Sequence, residues 1–347
     1  MGHKSLRLTI CFGARRRAAI SLVWWKAAVV ALSALLLAAG GAHAQSVDDY
    51  PTRPITLIVP FPAGGTLDIV GRIAATQMSK TLGQQVVVEN RAGAGGNLGS
   101  RQVARSTPDG YSILLSYVGI TAINPVMYSN MGYDPDTQLV PIGSIATSPS
   151  VLALHPSLPA QNLHEFIAYA KNNPGKVDYA SSGIGTGVHV GTEMLADAAG
   201  IHIKHIPYKG TAPAVADLLG GHVKVMMVPI PAVIGSIKGG ALRAIGVTSP
   251  ARSPLLPDVP TIAEAAVPGF NADARYGLMA PAGTPAAIIA RLNRDLRIAL
   301  TDESVQKRMN DDGLAPQPDS PEQYRAAIVE EQRLWGGIVR KLGLRAE

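Results

Sequence analysis

Cysteine is nearly absent from this 347-residue chain. Cys11 is the one present, so neither a disulfide framework nor a cysteine-rich zinc module can form. Charge is sparse too, at 16% Asp, Glu, Lys and Arg, and aromatic residues make up 5%. With 47% hydrophobic residues, that composition excludes a disordered chain and allows a sizeable core. The GxxxxGK[ST] phosphate loop, the HExxH zinc helix and the GxSxG nucleophile turn are all missing.

Acidic residues are missing from one whole segment. Residues 1–44 carry Lys4, Arg7, Arg15, Arg16, Arg17 and Lys26, and no Asp or Glu. Residues 27–39 are Ala, Val and Leu broken only by Ser33, and Ala42-His43-Ala44 follows before Gln45. A basic region, a short apolar core and a small-x-small cut site predict a signal peptide removed after Ala44. The 13-residue apolar run is shorter than the ~20 residues of a spanning helix. Without this segment the formal charge of +6 falls to zero, because 25 basic and 25 acidic residues remain. No basic excess is left to release counterions from a phosphate backbone, which argues against nucleic-acid binding.

The rest of the chain alternates apolar runs with helical patterns. Strands are expected at 55–59, 85–89, 111–115, 150–155, 177–181, 203–206, 223–228, 242–248 and 276–280. Helices are expected at 68–82 and at 163–173, the latter stopped by Pro174-Gly175. Thr284 is expected to cap a helix with Pro285 first, and Ile288, Ile289, Leu292 and Leu296 mark its apolar face. Ser320-Pro321-Glu322-Gln323 reads as a capping box opening a final helix to about residue 342. The order predicts an α/β protein with mainly parallel sheets flanked by helices. No long linker divides it, and the expected crossings between two lobes lie near 146–150 and 270–275.

Three glycine-rich junctions join strands to helices. Pro60-Phe61-Pro62-Ala63-Gly64-Gly65-Thr66 runs into the helix that contains Asp68. Paired glycines let the backbone turn sharply and approach a ligand, and a helix start offers unpaired amides and partial positive charge. Ala180-Ser181-Ser182-Gly183-Ile184-Gly185-Thr186-Gly187 adds three hydroxyls to the same arrangement. Two such loops, one from each lobe, suit an anion clamp; plain strand-to-helix turns are the bland alternative. Gly93-Ala94-Gly95-Gly96-Asn97-Leu98-Gly99 fails the dinucleotide fingerprint, since Leu98 stands where the third glycine belongs, and reads as a structural turn.

Catalytic groups do not assemble. Ser304-Val305-Gln306-Lys307 matches SxxK in a charged helical stretch without companion motifs. His202 and His205 sit three apart in a strand, on opposite faces, which is no metal site. His189 and Glu193 lie one helical turn apart and are candidates to pair. Ser181 is the one tempting nucleophile, with no adjacent base visible. These residues predict recognition rather than catalysis, with no cofactor and no metal.

Pro54-Ile55-Thr56-Leu57-Ile58-Val59-Pro60-Phe61-Pro62-Ala63-Gly64-Gly65 resembles the opening of the extracytoplasmic receptors of tripartite tricarboxylate transporters, the Bug receptors. The likeness continues in Leu82-Gly83-Gln84-Gln85, Pro108-Asp109-Gly110-Tyr111 and His205-Ile206-Pro207-Tyr208-Lys209-Gly210. It resumes at Asp258-Val259-Pro260-Thr261 and Ala280-Pro281-Ala282-Gly283-Thr284-Pro285. The resemblance implies a two-lobed, type II-like periplasmic binding protein that holds a small organic carboxylate in the interlobe cleft. Lobe 1 would comprise residues 45–148 plus 275–347, and lobe 2 residues 149–274. Implied ligand-binding residues are Phe61, Ala63, Gly64, Gly65 and Asp68 on one side, and Ser181, Ser182, Gly185, Thr186 and His189 on the other. Tyr117 and Gly119 would add to the wall. The family commonly carries an acidic residue and often Asn where this chain has Val228 and Pro229. That departure removes a partner for a ligand ammonium and predicts a preference for carboxylates with an apolar body. Arg275 would either approach the cleft or remain a solvated surface residue. The implied partners are integral membrane transporter subunits, acting on a monomeric receptor. A sensory protein for a membrane kinase shares every feature above, and an exported enzyme would need Ser181 to react.

Overall fold

A computed structural model describes residues 49–346; the expected leader, residues 1–44, lies outside the described residues. The chain divides into two units, Met1–Tyr50 and Pro51–Glu347, and the sheets and helices below belong to the second. The chain first lays down Ile55–Val59 (β1), Val86–Asn90 (β2), Ser112–Tyr117 (β3) and Leu139–Ser148 (β4). It then passes into Ser150–Leu154 (β5), Asp178–Ser181 (β6), Lys204–Pro207 (β7), Val225–Pro229 (β8) and Arg243–Val247 (β9). It returns through Ala274–Pro281 (β10) and Ala315–Pro316 (β11). Two separate sheets result, ordered β11-β4-β10-β3-β1-β2 and β7-β6-β8-β5-β9.

The longer helices are Thr66–Leu82 (α1), Asn97–Ala104 (α2), Leu163–Asn172 (α3), Gly187–Ala199 (α4) and Thr211–Leu219 (α5). Ala286–Thr301 (α6), Glu303–Asp311 (α7) and Pro321–Leu342 (α8) complete the set. Both α1 and α2 pack on β1, so Ile55, Leu57, Ile58 and Val59 are all buried and Thr56 is the one polar residue of the strand. The second sheet repeats this logic with a core of Val151, Ala153, Ala180, Met226, Val228 and Leu218. None of the described helices is long and apolar enough to cross a membrane.

The two-lobed α/β architecture is as expected, but the sheets are mixed rather than mainly parallel. β1 runs parallel to β2 and β3, and β6 parallel to β7 and β8. β10 is antiparallel to both β3 and β4, while β5 is antiparallel to both β8 and β9. The reason is the double crossing. A chain that leaves one sheet through β4 and β5 and comes back through β9 and β10 must reverse direction beside itself.

One hydroxyl ties these crossing segments together. Thr248 Oγ1 accepts from the Ser150 amide at 2.8 Å and donates to Asp273 Oδ1 at 2.9 Å. Burial pushes the Asp273 carboxyl up to about 6, against the opposing effect of the Thr248 hydrogen bond.

Local signals were realised closely at the C-terminal end. Ser320 and Gln323 form the reciprocal capping box, and α8 ends at Leu342 with Gly343 in a left-handed conformation. Thr284 does not cap α6 as expected. Its hydroxyl donates to the Pro281 carbonyl at 2.8 Å, tightening the turn instead, and α6 starts after Pro285.

Candidate functional site

The first glycine-rich junction is held by a buried carboxylate. Asp68, in the first turn of α1, accepts from the Gly64 amide at 3.0 Å, Arg72 Nε at 2.9 Å and Asn90 Nδ2 at 3.0 Å. Asn90 Nδ2 also donates to the Phe61 carbonyl at 2.9 Å, so β2 braces the loop from behind. Burial by itself would raise the Asp68 pKa. The hydrogen bonds from Arg72, Gly64 and Asn90, with the Arg72 charge, outweigh it and hold the carboxyl below its ordinary value. Asp68 and the Gly64 amide therefore face each other, inside the loop. Gly65 caps α1 without any side-chain hydrogen bond, and the buried Thr66 Oγ1 has no partner among the described residues.

The second junction is built from neutral groups. Ser181 Oγ accepts from the Gly183 amide at 3.1 Å and lies 2.6 Å from His205 Nε2. Thr186 Oγ1 donates to the Gly183 carbonyl at 2.7 Å and accepts from the His189 amide at 3.4 Å, capping α4. The His189 ring stacks on His205 at 4.1 Å, and His205 stacks in turn on Tyr179 at 4.9 Å. Burial pushes His205 down to about 4; burial, then the His205 charge, pushes His189 down to about 3. Glu193 is not the partner of His189, because it takes the hydrogen bond of the Tyr179 hydroxyl.

A base does lie beside Ser181, contrary to the reading of the sequence. His205 is distant in sequence and arrives through the β6–β7 pairing, which sets Tyr179 against His205. Ser181 is nevertheless 0% exposed, so its hydroxyl meets no solvent and lines no cavity. The Ser–His pair is part of the wall's support.

Between the two sheets lies a narrow cavity of ≈ 30 Å³. Three helix starts face it: Thr66 and Leu67 of α1, Gly187 and Val188 of α4, and Thr211 of α5. Gly210 caps α5, like Gly65 for α1, without a side-chain hydrogen bond. No Asp, Glu, Lys, Arg or His lines the cavity. Among the described residues there is also no cluster of His, Cys, Asp and Glu able to hold a metal ion. The far end is walled by Ser150, Pro229, Ala272, Ala274, Tyr276 and Trp335.

Of the residues singled out from the sequence, Tyr117, Ser182, Thr186 and Pro229 line this cavity. Phe61 stands behind Tyr117 in an edge-on contact at 5.4 Å. Gly119 leaves room for the Tyr117 ring, since a Cβ there would lie 2.2 Å from the phenol oxygen. Ala63 and Gly64 are exposed on the loop, and Gly65 approaches Thr211 from the opposite sheet. Asp68, Ser181, Gly185 and His189 are buried in the supports of the two loops. Arg275 is neither in the cavity nor freely solvated: it pairs with Asp319 and Glu331, each at 3.3 Å.

Thr66, Thr211, Tyr276 and Trp335 were missed as wall residues. A signal existed for the threonines, because a Gly-Thr step opens each of the three helices: Gly65-Thr66, Gly185-Thr186 and Gly210-Thr211. Trp335 arrives from α8, near the C-terminus, and no local pattern announces it.

The sequence pattern of the family described as "Tripartite tricarboxylate transporter family receptor" matches residues 70–344. The chain is 41% identical to Protein BugT of Bordetella pertussis over 306 residues, 88% of this chain and 94% of BugT. An R. palustris structure with adipate superposes with a TM-score of 0.83 at 35% identity, covering 86% of this chain and 99% of the other. MatC from Rhodopseudomonas palustris with bound malate gives a TM-score of 0.80 at 31% identity, covering 84% and 100%.

Proposed function

The chain belongs to the tripartite tricarboxylate transporter receptor family, and we propose on that premise that it captures a small organic carboxylate with an apolar body for integral membrane transporter subunits. The observation that carries this reading is the meeting of three helix starts around one cavity free of charged side chains. Helix N-termini combine unpaired amides with partial positive charge, so they stabilise an anion without a basic side chain. The unpartnered Thr66 hydroxyl adds a donor at the same place. Two similar structures hold adipate and malate, both small carboxylates.

In this reading Thr66, Ser182 and Thr211 hold the carboxylate together with the start of α4, which Thr186 caps, while Tyr117, Pro229, Tyr276 and Trp335 pack on the body. Phe61, Ala63, Gly64, Gly65, Asp68, Gly119, Ser181, Gly185 and His189 shape the two loops. Pro229 offers no charge to a ligand ammonium, so α-amino acids are disfavoured. Lobe 1, residues 45–148 and 275–347, closes on lobe 2, residues 149–274, because contacts from both sides exist only in the closed state. The leader directs the chain to the periplasm and is removed after Ala44.

Titration calorimetry of the mature protein with malate, adipate, hexanoate, benzoate, aspartate and glutamate tests the proposal. At least one of the four acids without an amino group is expected to bind more tightly than aspartate and glutamate. Thr66→Val is expected to weaken that binding by about tenfold, the effect of one lost hydrogen bond to a charged group. No binding across the panel, tightest binding of an α-amino acid, or an unchanged Kd in the Thr66→Val protein overturns it.

A further inference from the structure

A second, wider cavity, of ≈ 440 Å³, adjoins the first. Ser182 lines both, and Phe61 in the outer wall touches Tyr117 in the inner one. The outer chamber is bounded by residues 92–96 from the first sheet's side and by Gly183, Ile184, Tyr208 and Lys209 from the second's. Its lining holds one cation, Lys209, and no carboxylate. Lys209 is exposed and makes no ion pair among the described residues. Charges nearby are already satisfied: Asp217 accepts from the Tyr208 hydroxyl at 2.7 Å, and Arg91 pairs with Glu89.

The glycine-rich wall is unusual in its backbone. Gly93, Ala94, Gly95 and Gly96 all have positive φ, and Ala94, at 48°, is the single non-glycine residue to do so among the described residues. Holding such a conformation in a residue with a Cβ costs free energy and persists where the surroundings impose it. Here the result is a wall of peptide along residues 93–96 whose one side chain is the Ala94 methyl group, with residues 93 and 94 exposed. The inner cavity thus favours an anion by helix starts, and the outer chamber favours a second one by an unpaired ammonium.

We propose that Lys209 and the outer chamber form a second anion subsite, which takes the outer carboxylate of an elongated dicarboxylate anchored inside at Thr66, Thr211 and the start of α4. The inference rests on the carboxylate-receptor reading and deepens it, since it names the substrate class. The glycine-rich loop 93–96, read from sequence as a plain turn, becomes the wall of that subsite.

The test compares matched pairs of acids on the mature protein: adipate against hexanoate, and suberate against octanoate. Lys209→Met keeps the apolar stem and removes the charge, and Lys209→Arg keeps the charge. Lys209→Met is expected to weaken binding of the favoured dicarboxylate about fivefold, as for a partly exposed ion pair, and that of its monocarboxylate partner less than twofold. The dicarboxylate advantage should shrink as salt rises, and Lys209→Arg should retain it. Equal loss for both members of a pair, or no loss in Lys209→Met, overturns the second subsite while leaving the carboxylate receptor intact. Failure of the unaltered protein to bind any of these four acids overturns the second subsite, and the carboxylate receptor falls with it only if malate and benzoate fail to bind as well.

Discussion

The two loops that face each other across the cavity do the same task with opposite materials. The loop before α1 is held by an ionised carboxylate, Asp68, wired to Gly64, Arg72 and Asn90. The loop before α4 is held by hydroxyls and by two stacked, uncharged histidines. The first leaves its helix start uncapped and its Thr66 hydroxyl idle, whereas the second spends the Thr186 hydroxyl on its own cap. The difference shows that a helix start can be held in place by any buried, satisfied network, charged or neutral. Each network also brings its own sensitivity to pH and to substitution.

The largest expected effect is acid destabilisation confined to the second loop. His189 and His205 are held at about 3 and about 4 in the fold, against an ordinary value of 6.5. The unfolded chain therefore takes up protons first, and stability is complete above pH 6.5 and lost as pH falls toward 4 and then 3. At pH 5 each ring should cost about 2 kcal/mol of stability. Asp68 is shifted below its ordinary 3.8, so the first loop loses stability only below that value. Urea denaturation at pH 7.5 and pH 5 measures the difference. A protein carrying His189→Phe and His205→Phe should show a much flatter profile between those two pH values, and an undiminished slope in it would break the comparison.

Next in size is Asp68→Ala. It strands the Gly64 amide, Asn90 and Arg72, and should cost about 2–3 kcal/mol, a fall in Tm of roughly 5–8 °C. Ligand affinity should fall with it, because the loop carrying Thr66 loses its brace. A scanning-calorimetry Tm equal to that of the unaltered protein would show that the carboxylate is not what holds the loop.

The smallest effect separates the two threonines. Thr186→Val removes a cap and should lower stability by about 1 kcal/mol. Thr66→Val removes a hydroxyl that has no partner and should leave the Tm of the ligand-free protein unchanged or slightly higher. Equal destabilisation by both substitutions would show that the Thr66 hydroxyl is engaged in the ligand-free protein.

Much of the fold was legible because its signals are local. β1 matched the expected segment, and the Ser320 capping box and the end of α8 fell where read. β4 was missed, since Pro141 and Gly143 interrupt its apolar pattern and mark a break in an isolated strand. In the sheet that strand is supported by β10 on one side and β11 on the other, with register shifts against β10 absorbing the irregularity. The candidate site was legible in part. Both loops were found as candidates, and the structure adds that Asp68 and His189, expected at the ligand, hydrogen-bond inward to their own loops. A polar side chain in a glycine-rich loop looks the same in sequence whether it faces a ligand or an amide of its own turn.

By itself the sequence determined most of the succession of strands and helices, the glycine-threonine steps that open three helices, and the even balance of 25 basic and 25 acidic residues beyond residue 44. Those properties depend on neighbours within a few residues or on composition. Only the tertiary structure decided that Thr66, Thr186 and Thr211 face one cavity, that His205 shields Ser181, and that Trp335 closes the far wall. Each of those outcomes joins residues far apart in the chain. Such meetings are set by how two sheets fold over each other, and no local preference of the backbone encodes them.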